Sequence, residues 1–428
     1  MVNIGIHVPY GKGFLELDLP SRIFDIDRFL PGDLFPPVQN ALETVNKALS
    51  YPIGNLHPFS QINANTSIAI TVNDKTRPVP NTLLLTPLLE RLHFLGVKST
   101  NISIFIASGT HIPMISDEFN LILDPEITNN YRIIPHNCDD NKQLCALGIT
   151  SRHTPVYVNN SFFHHDIKIV VGDIELHHFA GYSGGVKSAA IGLSGRETIN
   201  ANHKLLMDEN SFLGIFHDNP LRMDIEEIGR LMKIDLALNA VLNEKKEILD
   251  IFFGDPVDVM KAGIKLVNEI CQIKVKSQYD VVIASAGGYP KDINLYQAQK
   301  AMTHGSMFCK PGGVLILIAE CSEGVGSSGY TEFMRSVNSV EGVIMKFRES
   351  EFKVGPHKAY QIARIMQRHQ VYLYSSIPAA NVESLLLKPI ESCSKIIDLI
   401  HSVLPQNGRV AILPYATACI PYIEKGMT

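Results

Sequence analysis

No stretch of this sequence approaches the ~20 consecutive apolar residues that a helix needs to cross a bilayer, so no membrane span is expected. The opening residues 1–13 lack a basic segment followed by an apolar one and do not read as a secretory signal. Cysteine is sparse. The 7 cysteines, Cys138, Cys145, Cys271, Cys309, Cys321, Cys393 and Cys419, are odd in number and scattered, and none forms C-x-x-C. They read as reduced thiols of a cytoplasmic enzyme, not as a disulfide framework. An excess of one charge is missing too. Lys+Arg 38 against Asp+Glu 43 gives a formal net charge of −5, which argues against a nucleic-acid partner held by bulk electrostatics. What is there is a chain of 428 residues, 45% hydrophobic, with Gly 30 and Pro 24 in ordinary proportion. At roughly 150 residues per domain it has room for two or three domains, each with a sizeable core.

Short runs rich in Val and Ile alternate with longer helical patterns. The clearest runs are Ser67–Val72, Ile102–Ala107, Ile167–Val171, Asp280–Ala284, Val314–Ala319, Val371–Tyr374 and Arg409–Leu413. They are apolar nearly throughout instead of alternating, the mark of strands covered on both faces in parallel α/β sheets. Helices fit between them. Asn81 is expected to cap a helix through Leu95 that stops at Gly96. Asn219-Pro220 and Asp255-Pro256 each place a capping side chain before a proline, opening helices to about Met232 and over Val257–Ile270. A further helix spans Asn294–Cys309 and is closed by Lys310-Pro311-Gly312-Gly313. The polar, basic segment Gln272–Gln278 divides the chain into an N-terminal α/β domain, residues 1–271, and a C-terminal one, residues 272–428. Whether Arg409–Leu413 returns to the first domain is open. No internal repeat or low-complexity tract is present.

Nearly every unusual polar cluster directly follows a strand. Asn73 to Pro78, Ser108-Gly109-Thr110-His111, Gly172 to His178 and Ser285 to Pro290 all sit there. In open parallel sheets, ligands bind beyond the carboxyl ends of the strands, although the same residue types also serve as ordinary turns. The stretch Gly181 to Ser188 approaches a phosphate-binding loop, but that motif needs Gly immediately before Lys-Ser and Val186 stands there, so an ATPase is set aside. Gly184 and Gly185 still suit a close backbone approach to a phosphate, and Lys187 an anion or a covalent bond through its amine. By themselves they read first as a tight turn and a solvated lysine.

The histidines carry more. His177 and His178 are adjacent, so in an extended segment they point to opposite faces and do not share one metal. His203 follows in Asn200-Ala201-Asn202-His203. His164, His165 and His304 read as structural. No H-E-x-x-H and no Cys/His finger spacing is present. In the second domain Tyr296 and Lys300 are i and i+4, and Gln297 and Lys300 are i and i+3, so all share one face near a helix N-terminus. That face suits a small carboxylate.

Taken together these segments resemble the nickel-dependent lactate racemase family of 2-hydroxyacid racemases and epimerases. The matching text is Asp74-Lys75-Thr76-Arg77-Pro78, Ser108-Gly109-Thr110-His111, Gly172 through Lys187, Asn202-His203 and Tyr296 through Lys300. The resemblance implies two α/β domains with mostly parallel sheets and the active site in the cleft between them. It implies a nickel-pincer nucleotide, a pyridinium mononucleotide whose thioamide and thiocarboxylate hold nickel through carbon and two sulfurs. Lys187 then matches the covalent tether and His203 the fourth nickel ligand, for which imidazole is suited. His111 and His177 match the acid/base pair; His177 also lies against the cofactor. Arg77, Lys300 and Tyr296 match substrate-carboxylate contacts. Asp74 and Gln297 match supporting positions in the active site, Asp74 also beside the cofactor, with Gly184 and Gly185 near its phosphate. Family members often carry a late tryptophan near the substrate. This chain has Trp 0, and Tyr360 stands in the comparable region.

The implied reaction inverts Cα of a 2-hydroxyacid by proton-coupled hydride transfer through a planar 2-oxoacid, with lactate the leading substrate. Malate, 2-hydroxyglutarate, phenyllactate, short-chain aliphatic and sugar acids remain alternatives. The partners implied are the small-molecule substrate and the enzymes that synthesise the cofactor. Two other classes stay open: a zinc hydrolase using His177, His203 and Asp173, and a non-catalytic nucleotide-binding protein on the same fold.

Overall fold

Apolar strands that alternate with helices build two mainly parallel sheets, one in each of two units. A computed structural model describes residues 3–20, 25–30, 35–54, 57–350, 352–353 and 355–423. One unit comprises residues 34–269 and the other residues 1–33 and 270–428.

In the unit of residues 34–269, a sheet of 6 strands runs in the order Ile248–Gly254, Leu236–Leu242, Ile167–Asp173, Ile68–Asn73, Ile102–Ala107, Arg132–Pro135. All neighbours are parallel except Ile248–Gly254, which runs antiparallel to Leu236–Leu242. Residues Ile167 to Asp173 are buried without a break. Both faces are covered, which is why the sequence shows continuous apolar runs here. From Ile68–Asn73 the chain first steps outward to Ile102–Ala107 and Arg132–Pro135, then returns to the opposite side as Ile167–Asp173. The strand order therefore reverses between Ile68–Asn73 and Ile167–Asp173, and such a switch point leaves a crevice at the carboxyl ends.

The other unit carries a parallel sheet of 6 strands in the order Lys388–Ile390, Gln370–Tyr374, Cys309–Ile318, Tyr279–Ser285, Arg409–Leu413, Asp25–Arg28. Its order reverses between Tyr279–Ser285 and Arg409–Leu413. A hairpin, Asn3–Tyr10 with Gly13–Pro20, buries Ile6, Val8, Leu17 and Leu19 in the core of this sheet.

These placements correct the domain limits read from the sequence. Residues 1–33 belong with the second unit, not with residues up to 271, because their strands pair and pack there. Arg409–Leu413 stays in that unit's sheet. The segment read as a linker contributes a strand, Gln272–Val275, paired with Ile420–Ile423. Helix signals fared unevenly. Asn219, Asp255 and Asn294 cap as expected, accepting from Arg222 N, Val257 N and Gln297 N. Asn81 does not cap. It is the first residue of the helix Asn81–Phe94 and donates instead to the Asn73 carbonyl. Lys310 to Gly313 do not form a closing turn but begin the strand Cys309–Ile318.

Candidate active site

Three elements gather at the switch point of residues 34–269: a pair of loops joined by the bond between Asp74 and His111, the loop after Ile167–Asp173, and a glycine loop. The first follows Ile68–Asn73. Asp74, 3% exposed, accepts from Thr76 N at 3.1 Å and Thr76 Oγ1 at 2.6 Å through Oδ1, and from His111 Nδ1 at 2.7 Å through Oδ2. Burial works to raise the Asp74 pKa, but the bonds from His111 and Thr76 outweigh it and hold the carboxylate below its usual range. His111 is exposed, at the end of the loop after Ile102–Ala107. A proton on its Nδ1, donated to Asp74, leaves Nε2 with a lone pair.

The second loop follows Ile167–Asp173. His177 lies in a two-residue strand paired with Gly181–Tyr182. Its Nδ1 accepts the backbone N–H of Ala180 at 3.2 Å. The proton of a neutral His177 is therefore on Nε2. Burial, then the charges of Lys187 and Arg77, push its pKa well below the ordinary value. The two histidines thus present opposite tautomers. Phe179 stands between His177 and His203, edge-on at 4.6 and 5.2 Å. Arg77 pairs with Glu175 at 3.6 Å. Burial, and next the Glu175 charge, push the Asp173 carboxyl up to about 7.

The third element is the glycine loop that ends in Lys187. Burial, then repulsion from Arg77 and Arg222, lowers the Lys187 amine to about 7. A large neutral fraction follows, which is what a nucleophilic or acylated lysine requires. The glycines have packing reasons of their own. A Cβ on Gly184, at φ +79°, would meet Ile174 Cγ1 at 2.6 Å, and one on Gly185, at φ +57°, Met260 Cγ at 2.6 Å. The Gly185 N–H is taken by Asn239 Oδ1 at 2.7 Å. It is not open to a phosphate as the motif suggested.

A brace with no sequence signature lies beneath this loop. Arg222 is fully buried and donates to the Tyr182 carbonyl at 3.0 Å, the Gly184 carbonyl at 3.2 Å and Glu226 Oε1 from Nε at 2.8 Å. A second buried network holds His203. Asp224 accepts from Thr150, Thr154 and Asn202, the last at 2.8 Å, and so ties the helix Pro220–Leu231 to the helix Arg196–Lys204 that bears His203. His203 is lowered to about 3 by burial and then by Lys187, so it is a neutral imidazole, the form that binds metal.

Among the described residues, no three or more His, Cys, Asp or Glu side chains are grouped to hold a metal ion. The triad of His177, His203 and Asp173 that the alternative zinc hydrolase would use is not among such groups. A metal bound through His203 would take its other ligands from a cofactor, and a neutral Lys187 amine within the field of that imidazole fits the covalent tether.

In the unit of residues 1–33 and 270–428, the helix Leu295–Phe308 starts after the switch-point strand Tyr279–Ser285. Tyr296, Gln297 and Lys300 are each partly exposed on it. Tyr360 is 1% exposed and stacks on Phe347 at 4.7 Å. Two side chains from the helix Pro356–Met366 meet the Tyr296 ring: the ammonium of Lys358, 5.4 Å from its centroid, and the ring of His357, at 6.2 Å. His164, His165 and His304 bond to backbone carbonyls, as structural histidines do.

Comparison with known proteins adds to this geometry. Residues 10–214 match the lactate racemase N-terminal domain and residues 274–420 the lactate racemase C-terminal domain. The chain is 29% identical over 422 residues to the lactate racemase of Thermoanaerobacterium thermosaccharolyticum, covering 97% of this chain and 98% of that protein. It is 29% identical over 417 residues to the lactate racemase of Lactiplantibacillus plantarum, covering 96% and 98%. The solved apoprotein of the Thermoanaerobacterium enzyme superposes with a TM-score of 0.87 at 28% identity, over 98% of this chain and 100% of that one. A Thermotoga maritima protein of 18% identity, at a TM-score of 0.63, shares the fold. No helix among the described residues is long and apolar enough to cross a membrane.

Proposed function

The chain belongs to the lactate racemase family and is an isomerase of that type, and we propose that it inverts Cα of a small 2-hydroxyacid with a nickel-pincer nucleotide. One observation carries this reading above the others: a neutral-capable lysine, a neutral imidazole and an Asp-oriented histidine occur together around one switch point. The runner-up, a zinc hydrolase, needs a ligand triad that these residues do not make.

Lys187 would form the covalent tether and His203 would be the protein's ligand to nickel. When bound, the group would supply a hydride acceptor and donor. The chain's own residues handle the protons and the carboxylate. His111, with Asp74 on Nδ1, takes the substrate hydroxyl proton at Nε2 and returns it. Asp74 stabilises the imidazolium that forms. His177 donates a hydrogen bond from Nε2 to the substrate oxygen in its present tautomer. To act as base on the opposite enantiomer, it must move that proton to Nδ1 and release the Ala180 N–H. Arg77, with a planar fork, and Lys300 with Tyr296 bind the carboxylate, and Gln297 supports them. The chain makes none of the cofactor in this scheme, so enzymes that synthesise it are required partners. The protein is proposed to be cytoplasmic.

The test is a chirality assay on protein produced with the cofactor-synthesis enzymes and verified by mass to carry the Lys187 adduct. One enantiomer of lactate, malate or 2-hydroxyglutarate is supplied. Inversion is expected, and its loss in both Lys187→Ala and His203→Ala. Full activity in those two variants would sink the reading.

A further inference from the structure

Lys358 lies on the helix Pro356–Met366, which packs against Leu295–Phe308. It is 6% exposed, and its ammonium lies 5.4 Å from the centroid of the Tyr296 ring. The neighbouring His357 meets the same ring edge-on at 6.2 Å. Lys358 therefore borders the face that carries Tyr296 and Lys300. Among the described residues no carboxylate pairs with it. Burial, then the positive charge of Lys300, lowers its amine to about 7. A buried ammonium without a counter-ion is unfavourable, and an arriving anion relieves both the desolvation and the repulsion between the two lysines.

On this face Lys300 and Tyr296 already serve a lone carboxylate. Lys358 is a cation beyond that need. With lactate bound, no carboxylate among the described residues would neutralise it; a substrate with a second carboxylate would supply one. We propose that Lys358 binds the second carboxylate of a 2-hydroxydicarboxylate, the chemical class of malate and 2-hydroxyglutarate, and so sets substrate specificity. This rests on the reading that Tyr296 and Lys300 hold the first carboxylate.

The experiment has a binding arm and a turnover arm. In the first, the full apoprotein is titrated calorimetrically with succinate, which has two carboxylates and no hydroxyl to react, and with propionate, which has one. Succinate is expected to bind about tenfold more tightly or better, and Lys358→Met to abolish the difference. In the second, loaded enzyme is assayed with malate, 2-hydroxyglutarate and lactate. The ratio of kcat/KM for the better dicarboxylate to that for lactate is expected to exceed one and to fall about 100-fold in Lys358→Met, with most of the fall in KM. Lys358→Gln serves if the Met variant does not fold, and the substrate order of the unmutated enzyme needs no variant. Preference for lactate, or an equal effect of the substitution on both substrates, overturns the proposal and leaves the racemase reading intact. Succinate selectivity without inversion of any 2-hydroxyacid keeps the Lys358 assignment and overturns that reading.

Discussion

Oδ2 of Asp74 lies 2.7 Å from Nδ1 of His111, and this one contact selects the ring nitrogen that can accept a proton. Asp74→Asn retains the shape but removes the charge that stabilises the imidazolium. It should lower kcat by about 10- to 100-fold with little change in KM. A kcat within about twofold of the unmutated enzyme would show that His111 does not work through Asp74. The same carboxylate leaves a stability signature. Its folded pKa is below the ordinary 3.8, so its contribution is fully present above 3.8 and is lost as pH falls through the depressed folded value. The acid limb of a denaturation series should flatten in Asp74→Asn.

The Lys187 amine is lowered to about 7 by burial and then by Arg77 and Arg222. A lysine is nucleophilic only when unprotonated, so its reactivity rises as pH climbs through that value. In competitive labelling of the apoprotein, read peptide by peptide, Lys187 should reach half its maximal rate near pH 7. Surface lysines should follow the usual amine value of about 10.4. Arg77→Met removes a repelling charge and should move the Lys187 midpoint upward. A Lys187 that titrates with the surface lysines would remove the support for a neutral tether.

Arg222 and Glu226 form a fully buried ion pair that also holds the carbonyls of Tyr182 and Gly184. Arg222→Met leaves Glu226 buried without its partner and frees the loop before Lys187. A stability loss of about 3–5 kcal/mol is expected in urea denaturation, with partial recovery in the double variant with Glu226→Gln. A loss within about 0.5 kcal/mol, the level of an ordinary surface substitution, would show that the brace bears no load.

Much of the fold was legible because parallel strands covered on both faces leave continuous apolar runs; Ile102–Ala107 and Arg409–Leu413 are observed with the bounds read from the sequence. The N-terminal hairpin was not, since it alternates buried Ile6 and Val8 with an exposed face, and the core it packs into is built from strands far along the chain. Asn81 misled because a capping residue and a buried helix start look alike until the Asn73 carbonyl is seen to claim its amide. The post-strand loops marked His111, His177 and Lys187, since each directly follows an apolar run or a glycine cluster. Arg222 and Lys358 left no such mark. Each is one ordinary cation on an amphipathic helix, and only folding shows what buries it. Tyr360 was named only by its position in the region where relatives carry a tryptophan; the fold adds that its ring stacks on Phe347.

The central claim, inversion of a 2-hydroxyacid by internal return of the Cα hydrogen with His111 and His177 moving only the hydroxyl proton, is tested most directly in D₂O. Loaded enzyme is given a single enantiomer, and chirality and Cα deuterium are followed together by chiral separation and mass spectrometry. Inversion with protium retained at Cα is the expected result. Deuterium entering Cα in step with inversion would mean that the Cα proton exchanges with solvent through a carbanion, and would contradict the account.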